Sequence, residues 1–315
     1  MRVRAFVVPL ELTGMMRKAV LGAVGALSML LGGCVFAGND ELDAEVDALS
    51  DWARTEPALE DLKFYRGISG GFQSSTVNVS GDVAAETVPE FVDALVALHN
   101  KEAEVQQGAI RELTSHVSAD IGGTSFWWTG PFPSEQFGGE VAGVLSPFAA
   151  PEVEKVEVSA ASREGAYRGW VYREASISDG EARDFRDAAY EHLGARGSDF
   201  ALHGFPPADR LLLDDAAEAL PFIERVAAAS RMRLDSVDNR GTNSVWGFYT
   251  EDPFDEADVR TVVELLASPV DGKTATLVLY GPDGRLGRAY VGQPRDAQPA
   301  GNEPWSAQLQ AIAAS

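Results

Sequence analysis

Apolar residues recur along this chain in two rhythms, every second position over short segments and every third or fourth over longer ones. Gly, Pro, Asp and Asn mark the switches between them. The spacing of Leu42, Val46, Leu49 and Trp52-Ala53 predicts a helix. Strand-like segments at 62–65 and 76–79 then flank a Gly-rich turn, and Val88, Phe91, Val92, Leu95 and Val96 fall on one helical face. The same order returns with strands at 153–158 and 167–172 and a helix opening at Ser178, where Glu181 stands at the capping-box position. A third unit has strands at 200–205 and 210–213 and a helix around 221–229. The fourth has strands at 232–237 and 244–249, followed by a helix carrying Val259, Val262, Val263 and Leu266. Asp252 and Pro253 are its expected N-cap and first helical residue. A last hairpin, 274–280 with 285–291, turns at Gly281-Pro282-Asp283-Gly284 and precedes a short helix near 305–313.

These signals predict an α+β fold of tandem ββα units. Residues 209–280 follow the order β-α-β-β-α-β of a ferredoxin-like module, and 124–205 can be read the same way, with Ser125–Trp128 as a first strand and 136–145 as a helix. The sheets are then expected to be antiparallel-rich, with helices on one face and a second sheet, a neighbouring module or solvent on the other. Asp82–Pro89 matches Asp214–Pro221 at five of eight positions, each ahead of a helix, which suggests duplication; chance similarity in an Ala- and Glu-rich chain is the plain alternative. The Gly/Pro-rich stretch 130–151 is the best joint between lobes. It divides the chain into 34–60 (tether and first helix), 61–150 (first lobe) and 151–315 (second lobe).

The N-terminal end carries a different kind of signal. Residues 19–33 are apolar, follow Arg17 and Lys18, and are shorter than the roughly 20 residues that span a bilayer core. They close with Leu31-Gly32-Gly33-Cys34, and Cys34 is the only cysteine of the chain. A free cysteine is commonly a buried core thiol, but no core pattern surrounds this one. The arrangement resembles the export signal and lipobox of bacterial lipoproteins, over about a tenth of the chain. The resemblance implies a leader of residues 1–33, with Leu31, Gly32 and Gly33 recognised by the signal peptidase. It also implies Cys34 as the mature N-terminus, bearing thioether-linked diacylglycerol and often an amide-linked chain such as palmitate. The protein is then expected to be held at the cell membrane through its N-terminal lipid, on the extracytoplasmic side. Met15-Met16-Arg17-Lys18 is itself an ordinary signal start, so initiation at Met1, Met15 or Met16 is open.

Charge narrows the partners. The chain has a formal net charge of -22, and loss of the leader removes Arg2, Arg4, Arg17 and Lys18 against Glu11 alone, making the mature part more acidic still. Phosphate backbones and anionic headgroups repel such a body, which disfavours nucleic acid. A cell-wall or envelope protein partner remains open.

No chemical constellation stands out. His99, His116, His192 and His203 lack zinc-ligand spacing, although His192 and His203 are placed to approach each other across a turn. Gly67-Ile68-Ser69-Gly70-Gly71 is only near a nucleophile motif, and Asp271-Gly272-Lys273-Thr274 lacks the upstream glycines of a phosphate loop. Asp235, Asp238, Asn239, Gly241 and Asn243 offer oxygens suited to calcium, but equally suit a hairpin turn. In the aromatic patch Phe126-Trp127-Trp128, Trp127 and Trp128 are candidates for stacking on a glycan, with core packing as the plainer role; Trp170 and Trp246 are expected in the core. No catalytic residue, metal or cofactor is assigned. The expectation is a non-catalytic binding or scaffolding role at the cell envelope. A hydrolase of envelope polymer and a calcium-dependent adhesion or sensing module are the alternatives.

Overall fold

A computed structural model describes residues 41–69, 72–105, 110–161, 167–194, 199–214, 216–240, 242–250, 255–267, 274–291 and 303–314. The expected leader, the Leu31–Cys34 motif, Gly241, Asp252, Pro253 and Asp271–Lys273 lie outside them. After helix α1 (41–53) the chain repeats one pattern, a hairpin and then a helix. The elements are β1 (Lys63–Ser69), β2 (Phe72–Asp82), α2 (Val88–Val105), β3 (Glu112–Ile121), β4 (Thr124–Gly130) and α3 (Glu135–Leu145). They continue with β5 (Val153–Ala160), β6 (Tyr167–Arg173), α4 (Asp179–Gly194), β7 (Asp199–His203), β8 (Arg210–Leu213) and α5 (Ala216–Ala229). The last are β9 (Arg233–Asn239), β10 (Asn243–Tyr249), α6 (Glu256–Leu266), β11 (Thr274–Gly281), β12 (Gly284–Val291) and α7 (Ser306–Ala313).

All twelve strands join one sheet in chain order. Strands within a hairpin pair antiparallel, and strands joined by a helix pair parallel, giving six antiparallel and five parallel pairings. This corrects two expectations. The sheet is nearly balanced rather than antiparallel-rich. The ferredoxin-like order is also not the one observed: a split βαβ unit places a third strand between two strands joined by a helix, whereas here such strands are direct neighbours. The boundary drawn near 150 falls between β4 and β5, which pair over Ser125–Thr129 and Lys155–Ser159.

The helices share one face. Inward residues line up across the ladder, as in Val117–Trp128–Val158 and Val237–Trp246–Leu277, and all are buried. α2 packs on α3, and α4, α5, α6 and α7 pack each on the next. Each hairpin reverses strand direction, so α2, α4 and α6 join strands running one way and α3 and α5 join strands running the other. With progression and covered face both constant, successive crossovers must have opposite hands. Parallel crossovers are otherwise right-handed in about 98% of cases, so alternation of hand is built into this hairpin-helix repeat.

Local chemistry explains the element ends. At α4, Ser178 N–H donates to Glu181 Oε2 (2.9 Å) and Glu181 N–H to Ser178 Oγ (3.3 Å), the reciprocal capping box. α6 starts later than expected: Asp255 is its N-cap, accepting from Ala257 N–H at 2.9 Å. α5 begins at Ala216 and carries Pro221 inside its first two turns, where the sequence placed only the helix start. Between α4 and α5, Arg186 is 2% exposed and donates to Glu224 (3.1 Å), Asp187 (2.8 Å) and the Pro206 carbonyl. A buried guanidinium without such partners costs several kcal/mol, so these contacts hold the two helices in one arrangement.

The two sheet edges differ. On β12, Gln310 of α7 accepts from Tyr290 N–H (3.0 Å) and donates to Tyr290 C=O (3.2 Å), and Ser306 Oγ accepts from Arg288 N–H (3.1 Å). The side chains of α7 thus imitate a thirteenth strand and close that edge. β1 has no strand on its outer side among the described residues and carries Lys63 and Arg66, charges that discourage edge-to-edge pairing.

Candidate functional site

The face opposite the helices has no covering layer among the described residues, and its side chains are mostly polar or aromatic, from buried Ser118, Ala201 and Ser236 to exposed Arg168 and Arg210. The register sets them in rows across the strands. One row runs Ser118, Trp127, Glu157, Trp170, Ala201, Leu212 and Asp238; the next runs Ser125, Lys155, Tyr172, His203, Arg210 and Ser236. Alternation within each strand sends neighbours to opposite faces, so Trp127 reaches this face while Trp128 enters the core, 1% exposed.

Around Lys155 the groups interlock. Its ammonium lies 5.3 Å from the Trp127 ring centre and 5.6 Å from that of Tyr172, and it pairs with Glu157. Tyr172 Oη donates to Glu157 at 3.0 Å, and the Tyr172 ring stacks on His203 at 4.8 Å. On the other side, His116 lies 5.2 Å from Trp127, whose Nε1–H donates to Ser125 Oγ at 2.8 Å. Toward β9, Arg240 bridges Asp199 (2.6 Å) and Asp238 (2.9 Å), and Arg168 also reaches Asp199 (3.3 Å). Among the described residues the Trp170 side chain has no ring or hydrogen-bond partner and Arg210 has no ion pair.

Titration directions follow from these contacts. Burial pushes the Glu157 carboxyl up, but hydrogen bonds from Lys155 and Tyr172 and the Lys155 charge outweigh it and leave the group below its ordinary value. Burial and the Glu157 bond push the Tyr172 phenol up to about 12. Asp238 is likewise lowered: burial works against ionisation, and the Arg240 contacts prevail. His203 is lowered, first by burial and then by the Arg210 charge. Its imidazole is therefore neutral in the fold at pH values where the unfolded chain takes a proton. Stability from this group is complete above its ordinary value of about 6.5 and declines as pH falls below it. Urea midpoints measured from pH 8 to 5 should fall toward acid for the wild type, with a shallower fall for His203→Gln. Parallel curves for the two proteins would remove His203 from this role.

A second concavity, a cavity of about 420 Å³, lies on the helix side at the ends of β8 and β9, lined by Tyr190, Leu193, Asp199, Leu213, Asp214 and Arg240 among others. The Tyr190 hydroxyl is buried without a hydrogen-bond partner among the described residues, and burial raises its pKa well above the usual phenol range.

Of the residues singled out from sequence, Trp127 lies on the open face and Trp128 does not. Trp246 is in the core as expected; Trp170 is on the open face instead, a correction, because β6 alternates around buried Gly169 and Val171. His192 belongs to the helix layer and His203 to the opposite face, so the two are not brought together. Asp238 is engaged by Arg240, and Asn243 by Thr274 and Thr276, which accounts for these oxygens without a cation. No group of three or more metal-ligating side chains occurs among the described residues. Sequence reasoning passed over β3, with His116, and the Lys155–Glu157–Tyr172–His203 cluster. The alternation Leu113, Ser115, Val117, Ala119 was the available signal for β3, weakened by the polar Ser115 and the small Ala119.

Charge is segregated between the layers. Helices α1 to α6 contain 21 Asp and Glu against five Lys and Arg, whereas the twelve strands contain eight against nine. Comparison with protein-family models, with curated proteins and with solved structures gave no match.

Proposed function

We propose that this chain is an acylated lipoprotein of the cell envelope, held outside the membrane through Cys34, and that it acts as a non-catalytic binding scaffold through the open face of its sheet. The observation that carries the reading is that face itself: half-buried Trp, Tyr, His and Arg side chains on a near-neutral surface, backed by a strongly acidic helix layer. Trp, Tyr and Arg are the residues that concentrate binding energy at interfaces. Repeat architectures commonly use such extended surfaces for binding. No helix among the described residues is long and apolar enough to cross a membrane, so a lipid at Cys34 would supply the attachment.

The carboxylates of the face weigh against hydrolysis. A general acid needs a raised pKa, whereas Glu157 and Asp238 are both lowered by cations bonded to them. The test is saturable binding of a chain starting after Cys34, which retains every described element, to washed envelope fragments. Arg168→Glu with Arg210→Glu on the open face should lower binding at least tenfold, while Arg183→Glu with Arg225→Glu on the helix layer, an equal change of net charge, should leave it within about twofold. Equal effects of the two pairs would refute the binding face.

A further inference from the structure

We infer that the occupant of the open face is a neutral β-1,4-linked polysaccharide lying across the strands, stacked on the indoles of Trp127 and Trp170; this rests on the binding-face reading above. Three independent features converge on that chemistry.

The first is spacing. Trp127 and Trp170 stand in one row on β4 and β6, with Glu157 of β5 between them. Strands are about 4.8 Å apart, so the two indoles are about 10 Å apart across the sheet. A β-1,4 chain is an extended ribbon whose ring advance is close to one strand spacing, and each ring is turned over relative to the last. Alternate rings therefore present the same face at the interval that separates the two tryptophans.

The second is the sorting of aromatic residues. The core takes Phe91, Phe126, Phe200 and Phe248 together with Trp128 and Trp246, whereas no phenylalanine stands with the half-buried Trp127, Trp170 and Tyr172 in the two rows of the open face. A ring with a polar edge suits a ligand that offers C–H faces and hydroxyl edges together. Among the described residues the Trp170 indole also has no ring partner, unlike Trp127, whose ring carries the Lys155 ammonium over it and His116 tilted against it.

The third is charge. Glu157 lies within the row, with its partner Lys155 on one side and the Arg168–Asp199 pair on the other, so donors and acceptors lie side by side, as hydroxyl groups require. The acidic helix layer and the net charge of -22 repel a polyanion at long range but leave an uncharged polymer unaffected. An extended surface, rather than a closed pocket, suits several rings at once.

The experiment is titration calorimetry of the purified full-length protein in detergent micelles with chitohexaose, a neutral β-1,4 oligosaccharide, alongside chitobiose. Hexamer affinity should exceed dimer affinity at least tenfold, because only the longer chain reaches both indoles. Trp127→Leu and Trp170→Leu, which keep an apolar strand residue, should each weaken hexamer binding about tenfold, and the Tyr variants at the same positions should stay within about threefold. The Tyr variants also show that the altered strands still fold. Absence of chitohexaose binding, or binding that both Leu variants leave unchanged, overturns the inference. If chitohexaose fails while the Arg168/Arg210 pair still controls envelope binding, the partner is a protein and only the glycan assignment falls. If that pair has no effect either, the binding face itself falls.

Discussion

A Cys34→Ser chain freed of residues 1–33 is expected to carry no fatty acyl group and to pass from the detergent phase to the aqueous phase on detergent partitioning, where the wild-type protein stays wholly with the detergent. Each buried methylene contributes about 0.8 kcal/mol, so one acyl chain binds a membrane marginally and two bind it durably. The effect of this single replacement should therefore be close to all-or-none. The described helices offer no substitute, since none is long and apolar enough to cross a bilayer, and the acidic surface opposes docking on anionic lipid. Intact mass should show two to three acyl chains on wild-type Cys34, with residues 1–33 removed. An unmodified thiol, or a serine variant that remains in the detergent phase, would sink the anchoring proposal.

Replacing Gly169 by alanine should destabilise the fold by about 3 kcal/mol, a large share of the stability of a typical domain. Gly169 lies on the inward face of β6, and Phe200 of β7 lies directly across it in the parallel ladder. The Phe200 ring covers the place where a Cβ would stand, so an added methyl group falls inside that ring. The ring has little room to retreat, because it stacks on Phe148 at 5.5 Å and meets Tyr167 edge-on at 6.2 Å. Urea unfolding should show a lower midpoint at unchanged slope. Phe200→Leu in the alanine background should cost less than Phe200→Leu alone, since both changes act on one space. A Gly169→Ala midpoint equal to wild type would contradict the packing.

Legibility from sequence tracked the range over which each interaction acts. The box formed by Ser178 and Glu181 spans three residues, and it is present with both hydrogen bonds. The apolar face of α6 was equally plain, because Val259, Val262, Val263 and Leu266 repeat at the helical period and all four are buried. Its cap was misplaced by three residues, as Asp252 and Asp255 are both good capping residues and local chemistry does not choose between them. Trp170 was misjudged for a different reason. A large aromatic residue within a strand is usually inward, but Gly169 takes the inward position because Phe200, thirty-one residues later, fills the space above it.

The candidate site shows the same limit more sharply. Trp127, Glu157, Tyr172 and His203 sit on four different strands, and nothing in their spacing announces contact. Their meeting depends on two crossovers and on the register at each pairing, where a slip of one residue would send every side chain to the other face.

Taken alone, the sequence determined the local periods, the hairpin-helix repeat, the strong acidity and the lone cysteine behind an apolar stretch, because each is written within a few neighbouring residues or in simple composition. Tertiary structure decided that the described strands lie in chain order in a single sheet, that the described helices cover the same face, and that a sheet of balanced charge backs the acidic layer. Those outcomes depend on which strand each helix returns to and on which side it crosses, choices settled by packing among residues far apart in the chain.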